Sequence, residues 1–152
     1  MREQASDAAD DVTLHLALVR RYFGEVLKPG ADPRLVDELF VPGIVMHRPG
    51  IDLEGIAAVK AFVAAVTAVA RLETTIHDAF GADDRVVFRL SHVIEYTGDE
   101  PTRVGVVDAA GKTVAWDAIA IFRFAGGKIV EEWVARDEVA MLLQLGAIAP
   151  PT

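Results

Sequence analysis

The hydrophobic period of this chain changes once, at Arg71. Before it, apolar residues recur every three to four positions; after it, they alternate. A chain that is helical first and stranded afterwards has few ways to bury both parts. The helices must pack on one face of a mostly antiparallel sheet, which predicts an α+β class. At 152 residues the chain is long enough for one sizeable core, and no linker or repeat divides it. A single domain over 1–152 is expected, with its core at about residues 9–148.

The helical half reads as three pieces. Val12, Leu16, Val19, Phe23 and Val26–Leu27 form one apolar face from about Ala9 to Leu27, stopped by Pro29–Gly30. Asp32 caps a short helix with Leu35, Val36, Leu39 and Phe40 turned inward. After a short strand, Ile44 to His47, a third helix fits Leu53 to Val69, and its Ala/Val composition suits close packing on a sheet. The stranded half reads Leu72 to Phe80, Arg85 to Tyr96, Arg103 to Val107, Thr113 to Phe124 and Lys128 to Ala135. A last helix covers Glu138 to Leu145, with Gly146 as its C-cap. Three helices on a strongly curved sheet predict a cone-shaped barrel that encloses a pocket.

Charge and composition narrow the function. The net charge is −8 and no basic cluster exists, so nucleic acid is not expected as a partner. No apolar run reaches the ~18–20 residues of a membrane span, and no membrane partner is expected. There is no cysteine, which removes disulfides and thiolate metal sites. The polar start Met1–Asp7 has no apolar leader segment, so a cytoplasmic location is expected. Mean hydropathy is +0.30, high enough to call for a lined cavity or a covered surface.

The closing hairpin carries the most chemistry. Its turn is Gly126–Gly127. In a regular hairpin Phe124 pairs with Ile129 and Phe122 with Glu131, so Trp116, Ala118, Ala120, Phe122, Glu131, Trp133 and Asp137 share a face. Acids and aromatics on one side of an apolar sheet predict a pocket for a small apolar organic molecule, although ordinary aromatic core has the same pattern. Asp137 has two readings: an N-cap for the last helix, or a carboxylate at the closed end of the pocket. His92 shares strand parity with Tyr96, and this pair is either satisfied core or a hydrogen-bonding group for a reacting oxygen. His47, just before Arg48–Pro49, is placed at the pocket mouth. The histidine spacings match no metal motif, and no phosphate loop is present, so neither metal nor cofactor is expected. On the opposite face, Asp117, Ile119, Ile121 and Arg123 leave apolar surface in need of cover, which predicts a homodimer.

These features resemble the SnoaL-like polyketide cyclase group of the nuclear-transport-factor-2-like superfamily. The residues that carry the resemblance are Gly127–Lys128–Ile129–Val130–Glu131–Glu132–Trp133, Asp137 and Gln144–Leu145–Gly146, with Asp83 to Arg89 and Val45 to Pro49 in support. The resemblance implies that Asp137 is the catalytic acid/base, that the protein is a homodimer and that it needs no cofactor. The chain departs from the group's pattern at Ile94 to Thr102, where Tyr96 falls near the family's histidine. Taken together, these readings predict a cofactor-independent cyclase of a polyketide-type substrate. Asp137, His92 and Tyr96 are the expected catalytic groups, and His47, Trp116, Phe122, Glu131 and Trp133 the expected binding groups. Epoxide opening on the same fold, or a non-catalytic binding or dimerisation module, are the alternatives.

Overall fold

The structure is a computed structural model that describes residues 2–152, with side chains from residue 7 onward. Its elements run α1 (Arg2–Arg21), a π-helical turn (Tyr22–Val26), α2 (Arg34–Leu39), β1 (Phe40–Arg48), β2 (Ile51–Glu54) and α3 (Ile56–Val69). They continue β3 (Ala70–Ala82), β4 (Arg85–Tyr96), β5 (Glu100–Thr102), β6 (Gly105–Val107), β7 (Thr113–Ala125), β8 (Lys128–Arg136) and α4 (Glu138–Leu145). The main sheet has six strands in the order β2–β1–β8–β7–β4–β3. All its neighbours are antiparallel except β1 and β8, which run parallel. The sheet does not close on itself. The expected α+β architecture is therefore present as an open cone rather than a sealed barrel. Strands β5 and β6 form a separate hairpin beside it.

Several boundaries differ from the sequence reading. Arg103 to Val107 is not one strand: β5 ends at Thr102, a turn follows, and β6 starts at Gly105. The first helix does not continue as α-helix to Leu27 but widens into the π-helical turn, which buries Tyr22, Phe23 and Val26 together. A widened turn brings an extra side chain onto the buried face of the helix. Strand β2 was expected to be loop and helix start. It pairs with β1 after the Pro49–Gly50 turn, and α3 begins only after Gly55.

The sheet's inner face and the helices share the core. Phe122 meets Tyr22, Phe23 and Phe88 edge to face, as Phe23 meets Phe88, with ring centroids 6.0 to 6.1 Å apart, and Tyr22 tilts against Phe23 at 5.2 Å. Each such pair adds about 0.5–1.5 kcal/mol to the burial itself. Helix α1 lies close on β3, and the contact depends on Gly81. A Cβ there would come within 2.8 Å of the Val86 side chain and 3.1 Å of Val12. A second cluster joins α4 to the far end of the sheet through Met141, Leu142 and Leu145 against Ile94, Tyr96 and Val114.

The hairpin β7–β8 holds the main correction to the sequence reading. Its turn is as expected: Gly126 and Gly127 both have positive φ, 59° and 77°, which a two-residue hairpin turn demands. Phe124 pairs with Ile129 as expected, but the next pair is Arg123 with Glu131. Val130 is the extra residue of a β-bulge. One inserted residue reverses strand parity from that point on. Glu132, Val134 and Arg136 consequently face inward, and Glu131, Trp133 and Asp137 do not.

Candidate active site

A cavity of about 610 Å³ lies between the sheet, α3, the π-helical turn, the β1–β2 turn and the β5–β6 hairpin. Phe62, Val66, Leu72, Ile94 and Trp116 give it apolar walls. Small residues Ala118 and Ala120 on β7 keep its floor open. Polar groups line this apolar space as well: Glu132 and Arg136 from β8, Arg48 from β1, His92 and Tyr96 from β4, Tyr22 from the π-helical turn, and Asp99, Glu100, Thr102 and Arg103 at the β5 side.

Glu132 and Tyr22 are the most deeply placed of them, each 1% exposed. The Glu132 Oε1 lies 3.9 Å from Arg48 Nη1, an ion-pair distance and not a hydrogen bond. Its Oε2 has no protein partner. Burial pushes the carboxyl above its usual range, and the Arg48 charge offsets only part of that. The neighbouring Tyr22 hydroxyl is also unpartnered. Burial, and then the Glu132 charge, push this phenol up. A carboxyl and a phenol left without hydrogen bonds in a protein interior cost free energy, and they are characteristic of sites that complete their bonding with a ligand.

His92 lies on β4, its ring 6.2 Å from Trp116 and 6.0 Å from Phe23 between centroids. Its Nδ1 is 2.9 Å from the Thr74 hydroxyl oxygen. Burial, then the charges of Arg48 and Arg136, pull the imidazole down to about 4. At neutral pH it is uncharged, and its tautomer follows the direction of the Thr74 bond. If Thr74 donates to Nδ1, then Nε2 carries the hydrogen and can donate to an oxygen; if Thr74 accepts, Nε2 is a base. Burial, then Glu100, raise Tyr96, while Arg136 opposes both. Arg48 packs over the Phe62 ring at 4.3 Å and Arg136 over Trp116 at 5.6 Å. Aromatic faces hold both guanidiniums in the cavity wall.

Of the expected site residues, His92, Tyr96 and Trp116 line the cavity. The other five positions need correction. Asp137 is exposed and caps α4, its Oδ1 accepting from the Ala140 N–H at 3.0 Å. Glu131 faces outward between Arg123, at 2.9 Å, and His47, also at 2.9 Å. Trp133 stacks on His47 on that same outer side, ring centroids 5.5 Å apart. His47 thus belongs to the outer surface, where Asp52 is its second partner, and not to the pocket mouth. Phe122 points inward but is fully buried in the aromatic core and does not line the cavity. Sequence reasoning missed Tyr22, Arg48, Glu132, Arg136 and Glu100. The adjacent acids Glu131–Glu132 were the available signal, since one of them must face inward whichever way the strand is set.

Among the described residues, no group of three or more His, Asp or Glu side chains is placed to hold a metal ion. No helix among them is long and apolar enough to cross a membrane.

An open cone of antiparallel strands, helices on its concave side and a polar-floored apolar cavity between them define a small-molecule pocket fold. The SnoaL-like domain family matches residues 19–132, and the chain belongs to it. Solved structures with the same fold include a candidate SnoaL-like polyketide cyclase from Jannaschia sp. CCS1, 24% identical, with a TM-score of 0.77 over 92% of this chain and 95% of that one. IdmH, a candidate polyketide cyclase from Streptomyces antibioticus, is 22% identical, with a TM-score of 0.69 over 87% and 98%. An LEH-like epoxide hydrolase from M. tuberculosis is 14% identical, with a TM-score of 0.69 over 90% and 92%. No curated protein matches the sequence.

Proposed function

We propose that this protein is a cofactor-independent enzyme that closes a ring in a polyketide-type small molecule, with Glu132 at the reacting centre and Arg48 beside it. The supporting observation is the Glu132 carboxyl, buried in the floor of the cavity with one oxygen unpartnered and Arg48 3.9 Å away. A carboxyl raised by burial titrates nearer neutrality, where it can both take and return a proton.

The chemistry follows from these groups. Glu132 in its carboxylate form removes a proton from a carbon next to a carbonyl. The enolate oxygen so formed is held by the Arg48 charge. The carbanion attacks a second carbonyl of the same chain and forms the ring bond. The resulting alkoxide takes the proton back from Glu132, so no atom is gained or lost. The apolar walls fold the flexible chain and place the two carbons together, which is itself a large part of the acceleration.

The same groups suit epoxide opening, with the carboxylate activating a hydroxyl or water and a neutral acid protonating the ring oxygen. A non-catalytic binding module is the reading from another class. Glu132→Gln separates them. It keeps shape and removes proton transfer, so solvent deuterium uptake by an aromatic β-diketone probe should fall roughly 10²–10⁴-fold with affinity retained. Exchange within a few-fold of wild type would remove Glu132 from the mechanism.

A further inference from the structure

The cavity has an unbalanced charge. Three arginines line it: Arg48 on β1, Arg136 on β8, and Arg103, which follows β5 and is paired with Glu138. His47 is level with Trp133 across the β1–β8 pair, so Arg48 lies one step further on, between Glu132 and Arg136 along the cavity floor. The order Glu132, Arg48, Arg136 spans four residues of strand, on the order of 13 Å at the rise of a β-strand. Arg48 has Glu132 as its nearest carboxylate. Arg136 has no such partner to itself. Its Nη2 is 3.5 Å from Glu138 Oε2, but Glu138 is held more closely by Arg103, whose Nε is 2.7 Å from Oε1. The Arg136 Nε has no protein partner.

The neighbouring acids do not restore the balance. Glu100 borders the same wall, but burial pushes its carboxyl toward the uncharged form. Glu132 is pushed the same way. Asp99 is exposed at the rim. Arg136 is itself pulled below the usual guanidinium value, first by burial and then by the charge of Arg48. Arg48 and Arg136 repel each other, and a bound anion relieves that repulsion and gives the unpartnered Arg136 Nε an acceptor.

We infer that the substrate is an apolar molecule bearing a permanent carboxylate, and that Arg136, with Arg48 behind it, is the seat for that group. This rests on the reading of the cavity as a substrate site, but not on the reaction performed there. The seat lies at the opposite end of the floor from Glu132. It therefore fixes the direction in which an elongated substrate enters, with the carboxylate at Arg136 and the reacting carbons toward Glu132. Arg136 is in this sense a specificity-determining residue, and Trp116 beneath it offers an aromatic face for the adjoining part of the molecule.

A matched pair of probes tests the charge alone: anthracene-2-carboxylate and anthracene-2-carboxamide, with affinities read by fluorescence titration. A charge-assisted contact in a desolvated site predicts that wild type binds the carboxylate roughly 10–100-fold more tightly than the amide. Arg136→Met should bring the carboxylate-to-amide affinity ratio close to one, whatever it does to either affinity alone; Arg136→Lys should retain part of the ratio. Glu132→Gln should keep the advantage. Equal affinity of wild type for the two probes, binding of neither up to millimolar concentration, or a full carboxylate advantage in a folded Arg136→Met protein would each overturn the inference. The wild-type ratio is decisive by itself should that variant fail to fold. Loss of exchange activity in Glu132→Gln together with no carboxylate advantage in wild type would leave the acid–base reading standing and sink this one.

Discussion

His92 and His47 lie on opposite faces of one sheet, and their surroundings move the two imidazoles in opposite directions. Burial and two guanidiniums hold His92 down at about 4. The Glu131 hydrogen bond, assisted by Asp52, holds His47 above 6.5. Imidazole NMR titration should therefore show one histidine neutral down to about pH 4 and another charged above 6.5, assigned by His92→Gln and His47→Gln. The sign for stability follows. A histidine with a depressed folded value favours the fold fully above the unfolded value of 6.5, and that contribution is lost as pH falls toward 4. Its size is on the order of 3 kcal/mol. A His92→Gln protein should thus lose less stability than wild type between pH 6.5 and 4 in thermal melts. Asp137 is the other residue with a clear expectation. As a cap whose Oδ1 accepts from Ala140, it should tolerate Asn with little change in melting or activity. Asp137→Ala should cost about 0.5–2 kcal/mol of stability. A hundredfold loss of turnover in a stable Asp137→Asn protein would restore the catalytic aspartate implied by the resemblance.

The bulge at Val130 decides which chemistry the last strand offers to the cavity. Deleting Val130 would restore regular pairing from the turn onward, bringing Glu131 and Trp133 inward and expelling Glu132 and Arg136. Such a protein should melt well below wild type and lose any ligand binding by the cavity, measured by calorimetry on both proteins. Retained binding at wild-type affinity would mean that β8 does not set the site. The same bulge shows what a sequence reveals. The turn at Gly126–Gly127, the cap at Gly146 and the alternation of β7 were all legible, because each depends on residues close in the chain. The bulge was not, because its cause is not local. On its other edge β8 pairs with β1, and that register also shifts, between Phe40 and Val45, where Pro42–Gly43 interrupt the strand. Two strands 80-odd residues apart in sequence thus break register beside each other, and neither announces it alone. His92, Tyr96 and Trp116 were read correctly as inward-facing because β4 and β7 pair without interruption from Arg85–Arg123 to Glu95–Thr113. Arg48 and Arg136 were passed over because a lone arginine beside a turn or at a strand end reads as solvated surface.

At the scale of the whole molecule, the helices cover one face of the sheet and leave the other bare. That bare face carries Ile119, 49% exposed, and Val93, 42% exposed, with Ile121 and Trp133 alongside. Polar pairs frame them: Arg123 with Glu131, and Ser91 donating to Asp117 at 2.7 Å. An apolar centre flanked by polar side chains that already have partners suits contact with a second copy about a two-fold axis, where each patch meets itself. We therefore expect a homodimer through this face, burying about 800 Å² per chain if it is of ordinary size. Sedimentation equilibrium should give twice the 16.4 kDa of one chain. Ile119→Arg places like charges against each other across the axis and should yield monomer with an unchanged circular dichroism spectrum. Monomeric wild type at micromolar concentration would refute the dimer. The cavity lies on the opposite side of the sheet, and a single chain supplies all of its walls. The Ile119→Arg monomer should accordingly bind the anthracene carboxylate as tightly as wild type. A monomer that assembles no longer but binds as before would show that the outer face serves association and the inner face serves the ligand, each independently of the other.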